Sequence, residues 1–210
     1  MKKYVVLLIY ALVIPNIGIC QSVKSVVEVP EQEIKILKGN PKYFKIASSY
    51  YIRFDYSDLE IGGYENEAAY IAYMREDAEL RRKSADDWEQ KWFNDRKTVF
   101  EPKFLELFSK HAGSKIKINP NNKGQEFVII LHTQFIEIGF NRNFKESPTY
   151  INVIATISDI NGTEEPLIIS LKYIIGKEAM SSYSANFRRI EEAYAKCGKE
   201  LAKHMRKVIY

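Results

Sequence analysis

The spacing of apolar residues changes twice along the chain, and each change predicts a different secondary structure. Apolar and polar residues alternate over residues 52–56, which is typical of a half-buried strand, and we predict a strand over 43–56. Residues 66–113 instead carry apolar side chains three or four positions apart, the spacing of amphipathic helices. Apolar strand patterns then return in one short and three long runs, at 115–118, 126–138, 150–160 and 166–176.

Capping and turn residues predict where the helices begin and end. Asn66 and Ser84 are suited to cap helix N-termini, and Gly113 is suited to a C-terminal cap. Pro102 cannot occupy a helix interior without the loss of a backbone hydrogen bond, so we predict a kink or a restart there. A last helix is predicted over 184–208, because its apolar residues form one stripe: Phe187, Ile190, Tyr194, Cys197, Leu201, Met205 and Val208.

This order of elements predicts an α+β fold. The later strands follow one another through short connections, including the hairpin signal Asn161-Gly162. We therefore expect an antiparallel four- to five-stranded meander sheet with amphipathic helices packed on one face. Residues 43–210 would form a single α+β domain, and residues 21–42 an N-terminal lead-in with one short strand. The fold requires burial of the helix aromatics, among them Trp88, Trp92, Phe104 and Phe108.

Residues 1–20 have the layout of a secretory signal peptide. An uncharged apolar run from Tyr4 to Ile14 follows two lysines, and it is shorter than the about twenty residues that span a bilayer. Two processing routes are open. Ordinary cleavage after Cys20 is favoured, because Ile19 departs from the usual lipoprotein pattern; the alternative keeps Cys20 as a lipidated first residue. We expect export to the periplasm or the cell surface, with membrane association only if Cys20 is lipidated.

Composition and charge exclude several classes of protein. The 31 Lys and Arg residues against 27 Asp and Glu give a net charge of +4. Removal of Lys2 and Lys3 with the signal peptide lowers it to +2, since 29 basic residues then face 27 acidic ones, and this is too close to neutral for a nucleic-acid partner to be expected. Two cysteines and three histidines do not supply a disulfide-dense scaffold, a zinc module or a His-rich metal site. We expect no metal and no cofactor.

The candidates for nucleophilic or acid–base catalysis are few. Cys197 lies on the apolar helix stripe and is expected to be a buried apolar group. His132 lies inside a predicted strand, as a general base or, by preference, as a packed or solvent-facing residue. His111 and His204 fall in the last turns of helices, where a cation complements the dipole. The sequence contains neither a nucleophile elbow nor a phosphate loop, so we expect a protein that is not an enzyme.

Three further patterns each allow a functional and a structural interpretation, and the structural one is favoured each time. Asp55, Asp58 and Glu60 could share a cation, or they are solvated turn residues. The 14 tyrosines could stack on sugars or receive apolar ligands, or they pack a half-buried sheet. Four lysines of the last helix could bind an anionic surface or partner, or they pair with neighbouring acidic residues and complement the helix dipole, as is common on helices: Lys196, Lys199, Lys203 and Lys207.

Several segments are distinctive beyond their patterning: Phe54 to Asp58, Trp88 to Phe108, Gly139 to Asn141, Tyr150 to Val153 and Arg189 to Lys203. Together they resemble a family of secreted proteins of unknown function from Bacteroidetes, over residues 43–208. The resemblance implies no catalytic or ligand residues. The order of elements is also similar to small periplasmic lipoproteins that assist larger machines, such as penicillin-binding-protein activators and auxiliary components of lipid transporters, which is analogy of fold alone.

The sequence therefore predicts an exported, non-enzymatic accessory or binding protein whose envelope partner or ligand is unidentified. Two alternatives stay open. One is a small envelope hydrolase acting on carbohydrate or lipid through Asp55, Asp58 or His132. The other is a purely structural component of the envelope.

Overall fold

Mixed α/β structure is seen throughout the computed structural model, which describes residues 25–26, 28–46, 49–119, 127–142, 145–176 and 184–210. The described helices are α1 (Glu67–Leu80), α2 (Ala85–Asp95), α3 (Glu101–Ala112) and α4 (Ser184–Ile209). The described strands are β1 (Ser25–Val26), β2 (Glu33–Lys38), β3 (Ser49–Asp55), β4 (Glu60–Ile61), β5 (Lys117–Ile118), β6 (Phe127–Glu137), β7 (Phe140–Arg142), β8 (Lys145–Ser147), β9 (Tyr150–Asp159) and β10 (Leu167–Ile175). The α+β class is thus as predicted.

The main sheet has seven strands in the order β2-β10-β9-β6-β3-β5, with β4 paired beside β3 on β6. The long strands β6, β9 and β10 pair antiparallel, as does β2 with β10. The connection from β9 to β10 contains the predicted turn at Asn161 and Gly162, where Asp159 accepts hydrogen bonds from the backbone of Thr163 and Glu164. A second, small sheet joins β1, β8 and β7.

The prediction of an antiparallel meander of four to five strands is wrong. Strand β3 runs parallel to β6, with Asp55 opposite His132, and β5 and β4 also pair parallel to their neighbours. The physical reason lies in the connection, because the chain passes through α1, α2 and α3 between β3 and β6. Such a helical crossover returns the chain to the end of the sheet at which β3 began, so that β6 runs in the same direction.

The first predicted strand begins later than expected. Pro41–Ile46 is a 3-10 helix, and β3 starts only at Ser49. Asn40 initiates this turn, because its side chain accepts from the backbone N–H of Lys42 and its carbonyl from that of Tyr43. A proline in the next position presets a turn-forming backbone angle. The aromatic residues of this segment therefore reach the core from a helical turn and not from a strand.

The predicted helix boundaries at caps are confirmed. The Asn66 side chain accepts from the backbone N–H of Ala69, and Ser84 Oγ accepts from that of Asp87. Gly113 ends α3 with a φ of 78°, a conformation that glycine adopts readily. The predicted burial of the helix aromatics is also confirmed, since Trp88, Trp92, Phe104, Phe108, Ile190, Tyr194 and Leu201 are buried and Phe187 is partly buried.

Helices α3 and α4 lie side by side and run in the same direction. Lys103 near the start of α3 is close to Glu191 and Glu192 of α4, whereas Arg206 near the end of α4 donates to the carbonyl of His111. The two backbones approach closely at Gly198, where an added Cβ would lie 2.3 Å from the carbonyl oxygen of Phe104. Helix α4 also packs on β9 and β10, so its buried stripe joins both layers in one core.

The predicted signal peptide over residues 1–20, with Cys20, lies outside the described residues. Among the residues that the structure does describe, no helix is long and apolar enough to cross a membrane.

Candidate functional site

A turn of π-helix interrupts the helical layer just before Pro102, the residue at which the sequence predicts a kink or a restart. Arg96–Phe100 forms five residues of π-helix between α2 and α3, with the backbone N–H of Glu101 bonded to the carbonyl of Arg96. Pro102 explains the interruption, because it lacks the N–H that an α-helix would donate to the carbonyl of Thr98. Bonding across five residues brings the side chains of Arg96 and Glu101 onto one side of the helix. Such π-turns are frequent at functional sites.

Arg96 is the centre of this cluster, and its side chain is only 12% exposed. Its guanidinium lies over the ring of Tyr56, 4.4 Å from the ring centroid, and 5.1 Å from that of Phe93. It is ion-paired with Glu67, whose carboxylate also accepts from Trp92 Nε1 at 2.6 Å. Burial lowers the pKa of Arg96, partly opposed by the neighbouring oxygens. An arginine keeps its charge at any physiological pH, so a fixed cation lies at this position.

A line of buried hydroxyl groups connects this cluster to the sheet. Thr133 on β6 and Tyr194 on α4 share a hydrogen bond of 2.8 Å between their oxygens, and Tyr194 is bonded in turn to Tyr56. Tyr56 donates to Glu101 at 3.4 Å. Burial raises the pKa of both tyrosines, which keeps them protonated at neutral pH.

Glu101 contributes to this cluster a carboxyl group whose pKa is raised. Burial raises its pKa, and the hydrogen bond from Tyr56 together with Lys97 and Arg96 lowers it by less. A carboxyl group with a raised pKa in a cleft is a candidate acid or a candidate ligand-binding group.

These residues line an open cleft of about 1040 Å³ beside the carboxyl end of β3. Its floor is formed by Phe54, Tyr56 and Arg96, and Phe93 at the rim is 42% exposed. Three cations and three carboxylates line it together with two amides: Lys91, Arg96, Lys97, Asp87, Asp95, Glu101, Gln90 and Asn94. Two of the cations are paired with carboxylates, since Lys91 Nζ lies 2.6 Å from buried Asp95 and Arg96 contacts Glu67. We call this cavity the Arg96 cleft.

The residues singled out from sequence lie elsewhere. Asp55 and His132 are neighbours in the β3–β6 ladder, but their strand positions alternate with Phe54 and Leu131, which pack towards the helices. His132 Nε2 is 2.7 Å from the carbonyl oxygen of Ser57, and the backbone N–H of Ser57 lowers the pKa of Asp55. Both side chains therefore stabilise the turn after β3.

The other sequence candidates also have structural surroundings. Asp58 has a positive φ of 56°, a turn conformation that aspartate tolerates, and Glu60 is exposed on β4. Cys197 is fully buried, which raises the pKa of its thiol. Burial and Lys207 lower the pKa of His204. Within the described part of the chain, no three acidic, histidine or cysteine side chains are grouped so that they could hold a metal ion.

The sequence analysis did not identify Tyr56, Arg96 and Glu101 as a site. They are 40 and 5 residues apart along the chain, and charged residues on a helix are usually solvated. The signal that marks them is Pro102, whose predicted break is the π-turn that brings Arg96 and Glu101 together.

Comparisons with known proteins do not identify this chain. A scan against protein-family models and a search of curated proteins both find no match. Among solved structures, the chain is similar to two PelC dodecamers from Paraburkholderia phytofirmans. A point variant of PelC has a TM-score of 0.35 and 10% identity, over 79% of this chain and 96% of that chain. The other PelC structure has a TM-score of 0.37 and 8% identity, over 78% and 97%. Likeness this distant carries no argument about function.

Proposed function

We propose that this protein is an exported, non-enzymatic binding protein that takes its ligand in the Arg96 cleft. The signal-peptide layout of residues 1–20 supports export. The observation that carries the binding function is the cleft itself, in which a buried cation, a carboxyl group of raised pKa and the exposed ring of Phe93 converge at a π-turn. The resemblance to a family of secreted Bacteroidetes proteins is a further, weaker support.

The chemistry of the cleft favours a neutral ligand rich in hydroxyl groups. The cations and carboxylates that line it are equal in number, so a strongly charged ligand gains little net attraction. The exposed Phe93 ring beside amide and carboxylate side chains suits a sugar, because a sugar ring presents apolar C–H faces and polar edges. We therefore propose a neutral oligosaccharide as the ligand class.

Titration calorimetry of the purified protein against neutral and uronic-acid-containing oligosaccharides tests this function. We expect binding of a neutral member, weakened at least tenfold by Phe93→Ala. The matched control is Tyr73→Ala, which removes an aromatic ring of similar exposure, 46% against 42%, outside the cleft. Binding that is confined to charged sugars, or that Phe93→Ala leaves unchanged, contradicts the proposal.

A second function, hydrolysis of an envelope carbohydrate or lipid, has one observation in its favour. The raised pKa of Glu101 suits a general acid, and the exposed side chain of Asp87 lines the same cleft. Esterase, glycosidase and phosphatase assays on pure protein distinguish the two functions. Turnover that is lost in Glu101→Gln would establish the enzyme and refute the binding protein. A structural component of the envelope, the third alternative, would show neither binding nor turnover.

A further inference from the structure

Basic side chains from the C-terminal end of α3, the loop that follows it and the C-terminal half of α4 meet on one surface. We call this surface the basic face, and its residues are Lys110, Lys115, Lys199, Lys203 and Arg206. The side chains of Lys199 and Lys203 are 40% and 48% exposed, and the other three residues are also exposed. Only the parallel packing of the two helices brings Lys110 and Lys199, almost ninety positions apart, to one surface.

The pKa of His111 shows that these cations lie close to its imidazole ring. Burial, and then the cations Lys199, Lys203 and Lys110, lower the pKa of His111. Arg206 donates from Nη1 to the carbonyl of the same histidine at 3.3 Å. The imidazole therefore lies in a region of positive potential produced by side chains of both helices.

The positive charge of this face exceeds what local pairing neutralises. Glu200 is the carboxylate that contacts it, 3.5 Å from Lys203 and 4.0 Å from Lys199. The C-terminal dipoles of two helices add about one negative charge between them. Five cations against one carboxylate and these dipoles leave an excess of about three positive charges on the basic face.

A small cavity completes this surface. It has a volume of about 270 Å³ and lies between the ends of α3 and α4, where Ser114, Lys115, Arg206 and Tyr210 line it. The ammonium group of Lys115 lies 5.6 Å from the centroid of the Tyr210 ring. The cationic side chains and the Ser114 hydroxyl group around a cavity of this size suit a phosphate group, whereas the Tyr210 side chain is hydrogen-bonded to buried Tyr50.

We propose that the basic face binds the phosphate headgroups of an anionic lipid bilayer. Two helices lying side by side present their cations over a broad surface, which matches a plane of phosphates. The attraction is electrostatic, because none of the exposed large apolar side chains among the described residues belongs to the basic face. The inference goes beyond the proposed function and concerns a separate site. Glu101 and His111, at opposite ends of α3, are about 15 Å apart along the helix axis.

Vesicle co-sedimentation tests this inference, with the chain from Gln21 onward, the expected exported protein, so that neither the apolar run of residues 4–14 nor an acyl chain contributes. One set of vesicles is pure phosphatidylcholine, and the other is phosphatidylcholine with about 30% of the anionic lipid phosphatidylglycerol. We expect binding to the anionic vesicles only, weakened as salt is raised from about 0.05 to 0.5 M. Replacement of both Lys199 and Lys203 by Gln should weaken binding by about 30-fold, since each lysine near an anionic surface contributes about fivefold.

The matched control replaces Lys35 and Lys38 by Gln, which removes the same charge from exposed positions on the edge strand β2 and should leave binding unchanged. Circular dichroism verifies that both double variants are folded. Equal binding to both kinds of vesicle refutes the inference, and so does an equal loss in the two double variants. Preference for double-stranded DNA or an acidic protein over anionic vesicles would also overturn it, because the partner would then be of another class.

Discussion

The guanidinium of Arg96 lies 4.4 Å above the ring of Tyr56 while it is ion-paired with Glu67, so one side chain joins the end of β3 to the start of α1. A buried cation needs such partners, because its removal from water is costly. Tyr56 provides the aromatic face and Glu67 provides the negative charge. The contacts that join these elements therefore also form part of the Arg96 cleft, the candidate binding site.

Loss of this arginine is expected to destabilise the protein. Arg96→Met keeps the apolar stem but leaves the Glu67 carboxylate with Trp92 as its remaining partner, and should lower the free energy of unfolding by about 1.5–3 kcal/mol. Urea unfolding of the variant and of the wild type measures this change in free energy. The control is Arg81→Met, which breaks an exposed ion pair with Asp77 and should cost below about 1 kcal/mol. Equal effects of the two variants would show that the cleft arginine is not held as described.

The stability of the fold should depend on pH through Glu101. Because burial raises the pKa of its carboxyl group in the folded protein, the unfolded chain releases this proton at a lower pH. The contribution of the protonated group is therefore fully present below the ordinary pKa of glutamate, and is lost as pH rises through the raised pKa. Glu101→Gln should therefore flatten the dependence of the unfolding free energy on pH in the range above the ordinary pKa of glutamate. Glu106→Gln, an exposed position on the same helix, is the control. Parallel curves for wild type and Glu101→Gln would contradict this.

The close contact between α3 and α4 predicts that Gly198 tolerates no side chain. An alanine Cβ would lie 2.3 Å from the backbone carbonyl of Phe104, so the helices must move apart. Gly198→Ala should lower the free energy of unfolding by about 1–3 kcal/mol, although alanine has a higher helix propensity than glycine. Denaturant unfolding measures this change. Gly63→Ala is the matched substitution, since its Cβ would meet nothing within 4 Å. A Gly198→Ala protein as stable as wild type would refute this packing.

The apolar stripe of α4 should carry much of the stability of the core. Leu201 is fully buried, and Leu201→Ala should lower the free energy of unfolding by about 2–5 kcal/mol through lost burial and the cavity left behind. Leu80→Ala, at a position that is 78% exposed, should change it by less than about 0.5 kcal/mol. Comparable losses at both positions would contradict the assignment of the stripe to the core.

Processing of the N-terminus tests the proposed export. The intact mass of protein from its native host should correspond to a chain that begins at Gln21, or at an acylated Cys20. An acylated Cys20 would correct the preference for ordinary cleavage, and two acyl chains would anchor the protein stably. Retained Met1 together with a cytosolic fraction would refute export.

Local sequence signals predicted the features that depend on neighbouring residues. The caps at Asn66 and Ser84, the end of α3 at Gly113 and the turn near Gly162 all follow from short-range hydrogen bonding and backbone freedom. The stripe of α4 likewise follows from one period repeated over 26 residues. These signals lie within a few residues of the structure that they specify, so the sequence alone determines them.

Only the tertiary structure decided how these elements combine. The parallel pairing of β3 with β6 depends on a crossover of three helices, and no residue pattern within either strand records its partner or direction. The Arg96 cleft and the basic face likewise assemble side chains from separate elements, as Tyr56 with Arg96 and Lys110 with Lys199 show. Such contacts form because burial of one shared core selects a single packing of all the elements, and that choice is a property of the whole chain.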